Sequence, residues 1–391
     1  MSDITYNKAI PDDYDDVMDF ADFVFSQAHV PHDFQSLLPK SYKKEYFMDG
    51  IHYLAREEGK IKAMVGAYPL VIEFKSAAPV PGRGIGAVSV HPRTRSRGYM
   101  KTLMNMALDD MKKDGLVFSC LSGQRQRYEY FGYAAAGSVY IFTVREPNIR
   151  HTLGSEWKSS LELRLVESTD RETLDRIQAM HDAKNARLRR SRDRLFDILK
   201  SWHANVFALT EGGNFIGYMV CDTHAVTEIN MAHPSRMIEA LGLLIHLRKE
   251  YGGHDSVDVS AGPHETEKFS LLSSFAEGFR QSAAYSFNIF DFKRFTEPFL
   301  ALRADQRTIA NGSFVLKVEG QNGGTFLICS KDGKPEISET ASAPDLTLDP
   351  LETVKLLFNP FSSLIIPAVC KSLFLQSLLP LPLFFENADW V

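Results

Sequence analysis

A short run of the chain, Val88 to Met100, combines residue types that suit the binding of an anion. An apolar strand is predicted to end at Pro92, and an apolar-periodic helix is predicted to run on from Lys101, after a basic turn that contains Gly98. The first N–H groups of such a helix have no intrahelical partners, and the helix dipole adds partial positive charge where they point. The turn also carries three arginines, Arg93, Arg95 and Arg97. Because a glycine lets a ligand approach the backbone, the segment predicts a binding site for a pyrophosphate.

The glycine pattern indicates which pyrophosphate would bind. Three glycines with an acidic residue about twenty positions on would indicate a dinucleotide, and a run ending in Gly-Lys-Ser or Gly-Lys-Thr a nucleoside triphosphate. The segment has neither; Val-x-Val-x-Pro is followed by Arg-x-x-Gly-x at residues 95–99. This pattern resembles the acyl-CoA signature of the GNAT N-acetyltransferases. The alternative interpretation is a strand, turn and helix with a solvated basic turn.

A second segment, Tyr128 to Tyr133, lies at the distance along the chain that the resemblance requires. It follows a strand predicted over Leu116 to Leu121 and resembles the Tyr-x-x-x-Gly-aromatic segment that closes GNAT active sites. The resemblance implies that Tyr128 faces the thioester sulfur, where a positioned phenol O–H helps a thiolate to leave. The alternative is a surface turn whose tyrosines pack as half-buried rings, which is the role we expect for Tyr130 and Tyr133.

Composition narrows the class of protein. The chain has 391 residues, which predicts two or three domains. Its hydrophobic content of 44% and charged content of 24% are typical of a globular protein, and its net charge of −5 argues against a dedicated nucleic-acid binder. The four cysteines form no Cys-x-x-Cys motif and predict reduced core thiols without a metal site: Cys120, Cys221, Cys329 and Cys370.

The most apolar stretch, residues 356–385, is interrupted by Lys371 and by four prolines. Neither half reaches the roughly eighteen uninterrupted apolar residues that a membrane span requires. We therefore expect buried helices and no membrane span. The acidic, polar N-terminus does not have the pattern of a signal peptide, which predicts a cytoplasmic protein.

Three domains are predicted, over residues 1–147, 148–292 and 293–391. The first has a polar helix near Tyr14 to Gln27, several strands, and a helix that includes Thr102 to Asp110. This order is mixed α/β, with the ligand at the carboxyl end of a strand, where such folds usually place it.

The second segment repeats this layout without the signature. A helix is predicted from about Asp170 as its N-cap, and Asn205 to Leu209 and Phe215 to Val220 are predicted to form a hairpin. Residues 227–247 contain neither Val-x-Val-x-Pro nor Arg-x-x-Gly, so a duplicated acetyltransferase fold would have lost its CoA cradle here. The basic run Arg187 to Arg192 predicts a solvated face, with an acidic partner as the alternative.

The third segment opens with two alternating strands, Gly312 to Val318 and Gly324 to Ser330, followed by an apolar helical region. This order resembles a sterol-carrier-protein-like domain. The expected fold class is therefore α/β (α+β): two tandem GNAT-type mixed-sheet domains followed by a sterol-carrier-protein-like α+β domain.

This order of segments resembles the Eis (enhanced intracellular survival) family over essentially the whole chain. The resemblance implies that the third domain carries no sterol and instead threads the C-terminus into the active site, where the terminal carboxylate acts as the base. That role falls on Val391, although the family leads us to expect an aromatic residue at the end. A homo-oligomer is also implied, a hexamer being one such assembly.

The family's acetyl-CoA contacts carry over position by position. The pantetheine arm falls on Val88, Ser89 and Val90; the pyrophosphate on Ser96, Arg97, Gly98, Tyr99, Met100 and Lys101; and the strand exit on Gly123 and Gln124. The oxyanion would be met by a backbone N–H of the splayed strand, that of Val88. The bulkier, basic residues 124–127 replace the small residues of the family at the strand exit.

The expected function is an acetyl-CoA-dependent N-acetyltransferase without a metal. It would acetylate a primary amine of a small polycationic molecule, aminoglycoside- or polyamine-like, or a lysine. Candidate carboxylates for such an acceptor are Glu386, Asp389 and Asp33. The alternative is an acyl-CoA-sensing protein without transferase activity that binds a lipid or sterol, which would require an apolar tunnel among residues 350–385.

Overall fold

The computed structural model describes residues 4–28, 30–251 and 253–390. The chain divides into two compact units. Unit 1 holds the chain as far as Ala136 together with Tyr285–Leu381, and unit 2 holds Gly137–Ala284 together with Pro382–Trp390. The three-domain division remains a prediction.

The strands follow in chain order. They are β1 Ile4–Lys8, β2 His52–Glu57, β3 Lys60–Phe74, β4 Val80–Val90, β5 Phe118–Leu121, β6 Ala134–Arg145, β7 Leu161–Leu165, β8 Ala186–Leu188, β9 Asn205–Glu211, β10 Asn214–Cys221, β11 Ala225–Met231, β12 Ser256–Ala261, β13 Gly278–Ile289, β14 Gly312–Val318, β15 Gly324–Lys331, β16 Lys334–Glu339 and β17 Leu346–Leu348.

The helices also follow in chain order. They are α1 Tyr14–Ala28, α2 Phe34–Leu37, α3 Pro39–Tyr42, α4 Tyr99–Lys113, α5 Arg125–Glu129, α6 Glu146–Leu153, α7 Arg171–Asp182, α8 Leu195–Lys200, α9 Met237–Glu250, α10 Thr266–Phe275, α11 Phe292–Ala304, α12 Pro350–Phe358, α13 Ser362–Ile365 and α14 Leu373–Leu378.

The main sheet of unit 1 contains one parallel pair. Its strand order is β1-β2-β3-β4-β5-β13, and every neighbouring pair is antiparallel except β4 and β5. Because α4 lies between these two strands in the chain, they form a strand–helix–strand crossover, the connection that parallel neighbours require. Ligands of α/β folds bind beyond the carboxyl ends of such strands.

The sheet of unit 2 has the same pattern of directions. Its order is β6-β12-β11-β10-β9-β7, in which β11 and β12 are parallel and the other pairs antiparallel. Here α9 is the crossover helix. One end strand of each sheet comes directly after the other unit's parallel pair in the numbering of the strands. In the sheet of unit 1 this strand is β13, which follows β12, and in the sheet of unit 2 it is β6, which follows β5. Both units are mixed α/β, which confirms that part of the expected fold class.

The crossover helix α4 forms because its apolar residues recur at helical spacing. Its buried face carries Leu103, Met104, Ala107, Leu108 and Met111, which pack on the sheet in one hydrophobic cluster. The helix ends before a left-handed glycine at 115, whose φ is 68°. Anchored on this face, the first turn of α4 has a fixed position beside the end of β4.

The C-terminal part of unit 1 is an α+β segment. Its sheet has the order β16-β15-β14-β17, with β14 and β17 parallel. Helix α11 packs its aromatic side chains against the main sheet, where Phe295 lies 5.3 Å from Phe118 between ring centroids. Phe358 of α12 also packs on Phe295, with ring centroids 5.1 Å apart. These rings fill the interior between the helices and the sheet.

Some local expectations require correction. Asp170 is at the N-cap position of α7, but its carboxylate accepts from Arg164 at 2.7 Å instead of capping the helix. Cys370 is exposed, so it is not a core thiol. No helix within the described residues is long and apolar enough to cross a membrane.

Candidate active site

The two parallel strands of unit 1 separate towards their carboxyl ends. Their pairing reaches only Gly84 and Cys120, whereas β4 continues to Val90. Within this unpaired part, the register of β4 against β3 shifts, and Ala87 takes a φ of 51°. A left-handed residue at a register shift is typical of a β-bulge, which bends the strand. The bulge and the separation leave one edge of β4 open.

The open edge carries the backbone groups of Val88 and Val90. The N–H of His91 donates to the carbonyl of Lys62 on β3 at 2.8 Å. Since successive residues of a strand face opposite sides, the N–H and C=O of Val90 point away from β3, as do those of Val88 by the same alternation. An extended ligand chain at this edge would find a strand's hydrogen-bonding groups.

The turn between β4 and α4 has the backbone conformation of an anion cradle. Ser96 and Gly98 both have positive φ, at 67° and 83°, and Gly98 is the N-cap of α4. The first intrahelical bond runs from the N–H of Thr102 to the carbonyl of Gly98, at 3.1 Å. The N–H groups of the preceding helical residues therefore have no partner in the helix and are available to a ligand.

A cleft of about 700 Å³ joins this turn to the open edge of β4. Its volume is within the range of small-molecule and cofactor sites. The lining residues are Val24, Phe25, Val88, Ser89, Val90, Thr94, Arg95, Ser96, Arg97, Gly98, Tyr99, Met100, Lys101, Gln124, Arg127, Tyr130 and Phe131. Of these described residues four are cationic and none is acidic, so the cleft fits an extended anionic ligand.

One cation of the cleft is partly neutralised by a carboxylate outside its lining. Glu57, at the end of β2, accepts from Arg97 Nη1 at 2.6 Å and from the Tyr99 hydroxyl at 2.7 Å. The bond to Glu57 raises the pKa of Tyr99. Glu57 thus fixes both side chains at the start of α4 and offsets one of the positive charges.

The catalytic candidate Tyr128 lies in α5, beside the cleft but not among its lining residues. Its side chain is 7% exposed and meets Tyr133 edge to face, with ring centroids 6.3 Å apart. Burial raises the pKa of Tyr128 above its ordinary value, against the opposing effect of Arg127. A phenol with a raised pKa stays protonated at neutral pH and is able to act as a proton donor.

Two residues shortly after β5, Gly123 and Gln124, were predicted to contact acetyl-CoA, and one of them lines the cleft. Gln124 lines the cleft. Gly123 instead lies against the ring of Tyr128, so closely that a Cβ at this position would overlap the ring. Its absent side chain therefore lets Tyr128 pack beside β5.

Several cleft residues were not predicted as contacts. Tyr130 is 64% exposed, so it is not the half-buried ring that we expected, and Lys101 Nζ lies 4.8 Å from the centre of its ring. Tyr133 is buried, as expected, and its hydroxyl lies 2.8 Å from Ser119 Oγ. Val24 and Phe25 come from α1, whose distance along the chain gives no sequence signal for this contact.

The residues expected to bind the acceptor are engaged elsewhere. Asp33 caps α2 by accepting from the N–H of Ser36 at 3.1 Å. Glu386 and Asp389 are buried and paired with cations of unit 2. Recruitment of Glu386 or Asp389 by a bound polyamine would require breaking these pairs, and the role of the three carboxylates in acceptor binding stays a prediction. The catalytic candidate Val391 lies outside the described residues.

The basic run of unit 2 is also paired within the chain. Arg190 is buried against Glu228 and Asp389, and Arg192 pairs with Asp175. The expected solvated face is therefore wrong for Arg190. The described residues contain no group of histidine, cysteine or acidic side chains arranged to hold a metal ion.

A parallel strand pair that opens onto the start of a glycine-capped helix defines an α/β fold with a ligand groove at the strand ends. Residues 5–136 match the acetyltransferase (GNAT) domain family. No curated protein matches the sequence. This stretch of unit 1 is therefore a GNAT acetyltransferase domain, and the chain is an acetyltransferase enzyme.

Solved structures with a similar fold extend over the whole chain. A GCN5-related N-acetyltransferase from Kribbella flavida has 15% identity and a TM-score of 0.68, covering 100% of this chain and 99% of that chain. Another from Anabaena variabilis has 17% identity and a TM-score of 0.64, covering 99% of each chain. Eis1 from Mycobacterium abscessus has 14% identity and a TM-score of 0.62, covering 97% of each chain. At these identities the likeness is one of fold.

Proposed function

We propose that this enzyme is an Eis-type N-acetyltransferase that moves the acetyl group of acetyl-CoA to a primary amine of a small polycationic molecule or of a lysine. The observation that carries the proposal is the cationic cleft that joins the glycine-capped start of α4 to the open edge of β4. One end suits a pyrophosphate and the other suits an extended amide chain.

The acetyl-CoA contacts follow from this arrangement. The pyrophosphate binds to backbone N–H groups from Ser96 to Lys101, with Arg95 and Arg127 supplying further positive charge. The pantetheine arm lies along Val88 to Val90 as an added strand would, through main-chain hydrogen bonds. The thioester carbonyl then lies near the bulge, where the N–H of Val88 stabilises the oxyanion.

The reaction requires three proton movements. The acceptor ammonium first loses a proton to a base, and the free amine attacks the thioester carbon. The new C–N bond forms as the C–S bond breaks, and the CoA thiolate takes a proton from a general acid. The amide nitrogen loses its second proton to solvent. An acid and a base at the reacting atoms each contribute to the rate.

We assign the acid to Tyr128. This role is supported by the position of α5 beside the cleft and by burial, which raises the pKa of the hydroxyl. We assign the base to the terminal carboxylate of Val391, on the Eis resemblance. The sterol-carrier-like character of the last segment and a homo-oligomeric assembly are proposals on the same ground.

The acceptor class is the broadest part of the proposal. Val24 and Phe25 of α1 supply apolar surface at the edge of the cleft. Two of the three candidate carboxylates, Glu386 and Asp389, are already paired with cations of unit 2. We therefore place both small polycations and lysine side chains in the test.

The test is a thiol-release assay with acetyl-CoA against four kinds of amine: an aminoglycoside, spermidine, a lysine peptide and simple amino acids. We expect thiol release with one class, and mass spectrometry of the product identifies the acetylated nitrogen. Binding of CoA without turnover of any amine would contradict the proposal and favour an acyl-CoA sensor. The aromatic packing of Phe358 against α11 supports the enzyme over a lipid carrier, because it fills interior that a carrier would leave open.

A further inference from the structure

The cleft of unit 1 contains one cation that the proposed function leaves without a role. Arg95 and Arg127 supply charge to the pyrophosphate, and Arg97 pairs with Glu57. The backbone N–H of Lys101 belongs to the cradle, but its ammonium group is a separate part of the cleft lining. Among the described residues no carboxylate forms an ion pair with this ammonium. The charge of Lys101 is therefore available to a ligand.

An aromatic ring holds the ammonium of Lys101 at the wall of the cleft. Its Nζ lies 4.8 Å from the centre of the Tyr130 ring, a distance typical of a cation–π contact. Tyr130 directly follows α5, is 64% exposed and lines the same cleft. At an exposed site this contact adds little to stability, but it favours the lysine rotamers that keep the ammonium beside the cleft.

The other walls of the cleft indicate which part of an acyl-CoA meets this pair of side chains. The pantetheine arm is assigned to β4 and the pyrophosphate to the turn before α4, so the nucleoside has to leave the turn along another wall. One such wall is α1, whose described lining residues, Val24 and Phe25, are both apolar. The other wall is formed by α5 and its neighbours, and its lining residues are Gln124, Arg127, Tyr130 and Phe131. The ammonium of Lys101 lies on this second, polar wall.

The nucleoside of coenzyme A carries an anion of its own, the 3′-phosphate of the ribose. A phosphate monoester holds about −1.5 to −2 charges near pH 7 and has three strong acceptor oxygens. Lysine binds phosphate as a point charge, so the contact does not require the planar match of an arginine. Because the described lining of the cleft has no acidic side chain, nothing in it repels such a group.

We propose that Lys101 and Tyr130 form a subsite for the 3′-phosphate of the donor, which makes the enzyme select coenzyme A thioesters over thioesters that lack this phosphate. The proposal rests on the proposed function, in which the cleft binds acetyl-CoA. Lys101 supplies the charge, and Tyr130 is a positioning residue that keeps the ammonium in reach of the ligand. The subsite extends the cleft beyond the pyrophosphate cradle.

The test compares two ligands by titration calorimetry in the absence of an acceptor. CoA and dephospho-CoA differ only in the 3′-phosphate. For the wild-type protein we expect the Kd of dephospho-CoA to be about tenfold higher than that of CoA, as for one hydrogen bond between charged groups. Lys101→Met keeps an unbranched side chain that suits a helix. In this variant we expect the ratio of the two Kd values to fall to about one, with the Kd of dephospho-CoA within about twofold of the wild-type value.

Variants of Tyr130 separate positioning from packing. Tyr130→Phe keeps a ring for the ammonium and should preserve the ratio of about ten, because phenylalanine also forms cation–π contacts. Tyr130→Leu removes the ring, and we expect the ratio to fall about threefold because the ammonium is no longer held. A purely structural role of Tyr130 would weaken both ligands alike and leave the ratio unchanged.

Two other cations of unit 1 provide matched controls. Arg125 is exposed on α5, does not line the cleft and pairs with Glu129 at 3.3 Å. Arg125→Met should therefore leave both Kd values and their ratio unchanged. Arg95→Met removes a charge assigned to the pyrophosphate, which both ligands contain. Both Kd values should rise in this variant while their ratio stays at about ten.

The outcomes are separable from those of the proposed function. If the wild-type protein binds neither ligand, the proposed function and the subsite are both wrong. Equal Kd values for the two ligands in the wild-type protein would contradict the subsite alone. A ratio that remains at about ten in Lys101→Met would also overturn it, since the 3′-phosphate would then be bound elsewhere. Binding of dephospho-CoA shows that a variant is folded with an intact cradle, and Lys101→Gln repeats the comparison if Lys101→Met binds neither ligand.

Discussion

The two units contain the same opening beyond a parallel strand pair and use it differently. In unit 1 the pairing of β4 and β5 ends at Gly84 and Cys120, and the space beyond is a cleft with four cations in its lining. In unit 2 the pairing of β11 and β12 ends at Val226 and Val259. There residues 382–390 of the same unit cover the strand ends, since Phe384 lies on Gly262 directly after β12 and Arg190 links Asp389 to Glu228 of β11. The same backbone arrangement thus serves a ligand in one unit and the protein itself in the other.

The start of each crossover helix accounts for part of the difference. Gly98 caps α4 with a φ of 83°, which opens the backbone towards the cleft. Arg236 precedes α9 with a φ of −87°, and its guanidinium is held by Glu239 at 2.9 Å and Glu211 at 2.7 Å. To bind a phosphate, the guanidinium of Arg236 would have to give up these ion pairs. We therefore expect the start of the crossover helix, in addition to the strand separation, to determine whether an anion can bind.

The largest expected effect is that of Arg190→Met, because it removes the only guanidinium between Glu228 and Asp389 in the described part of unit 2. Two buried carboxylates would lose a partner, which costs about 3–5 kcal/mol of unfolding free energy. The matched change in the open cleft, Arg95→Met, removes an exposed side chain and should cost less than about 0.5 kcal/mol. Urea unfolding of both variants measures this, and equal losses would contradict the contrast between the openings.

The buried ion cluster of unit 2, which consists of Lys184, Arg190, Glu228, Glu386 and Asp389, should also make stability depend on pH. Three carboxylates face two cations, and burial, together with Glu228 and Glu265, raises the pKa of Glu386 to about 7 despite Lys184. A raised pKa means that the folded state holds the proton more tightly, so this contribution is complete below about pH 4.5 and lost as the pH rises through about 7. The full loss corresponds to about 3 kcal/mol.

The variant Glu386→Gln isolates this contribution. Between pH 5 and pH 8 we expect the wild-type protein to lose more unfolding free energy than the variant does, by up to about 3 kcal/mol. Parallel stability–pH curves from urea unfolding at each pH would show that Glu386 has the same pKa in the folded and unfolded chain. The matched control, Glu336→Gln, changes an exposed acid on β16 and should not alter the curve.

If chemistry belongs to the first opening, Tyr128→Phe should reduce kcat by about 100-fold. The KM for acetyl-CoA should change little, because a proton donor acts mainly in the transition state. Tyr133→Phe removes a neighbouring buried hydroxyl and is the matched control. Equal losses in kcat and in acetyl-CoA affinity would remove the role assigned to Tyr128.

Gly98→Ala tests the helix start directly. A Cβ at this position meets nothing within 4 Å, so the only penalty is the positive φ, which costs an alanine about 1–2 kcal/mol. Relief of that strain shifts the turn, and we expect the KM for acetyl-CoA to rise about tenfold. Gly115→Ala carries the same kind of strain, with a φ of 68° and open space around it, but lies at the other end of α4. An equal rise in both variants would show that the turn is not a cradle.

Local features of the sequence predicted the first opening well. The strand before Pro92, the glycine turn and the periodic helix are each encoded within a few residues, and the structure has β4, the left-handed Gly98 and α4 in that order. Ten of the eleven predicted acetyl-CoA residues line one cleft. The prediction that each makes its assigned contact remains untested.

The second opening could not be predicted, because its contacts join distant parts of the chain. Lys184 and Glu386 are 202 positions apart, and no local pattern relates them. From the sequence alone, the basic run of residues 187–192 therefore indicated a solvated face, and Glu386 and Asp389 were candidate ligands for the acceptor. The exchange of β6 and β13 between the sheets has the same character, since strand pairing over such distances depends on the packing of the whole fold.

The smallest expected effect is that of a change at Glu57. This residue lies 40 positions from Arg97 along the chain, so its contact could not be predicted from local sequence. Its carboxylate reduces the positive charge of the cleft. In Glu57→Gln the amide oxygen still accepts a hydrogen bond but carries no charge, so the field at the start of α4 becomes more positive. We expect the Kd for CoA, measured by titration calorimetry at low salt, to fall about threefold, and the gain to shrink at high salt as the charges are screened. A gain that persists at high salt would mean that Glu57 acts through the orientation of Arg97 and Tyr99. Weaker binding in the variant would mean that this orientation matters more than the charge, and the difference between the openings would then lie in how each arginine is held.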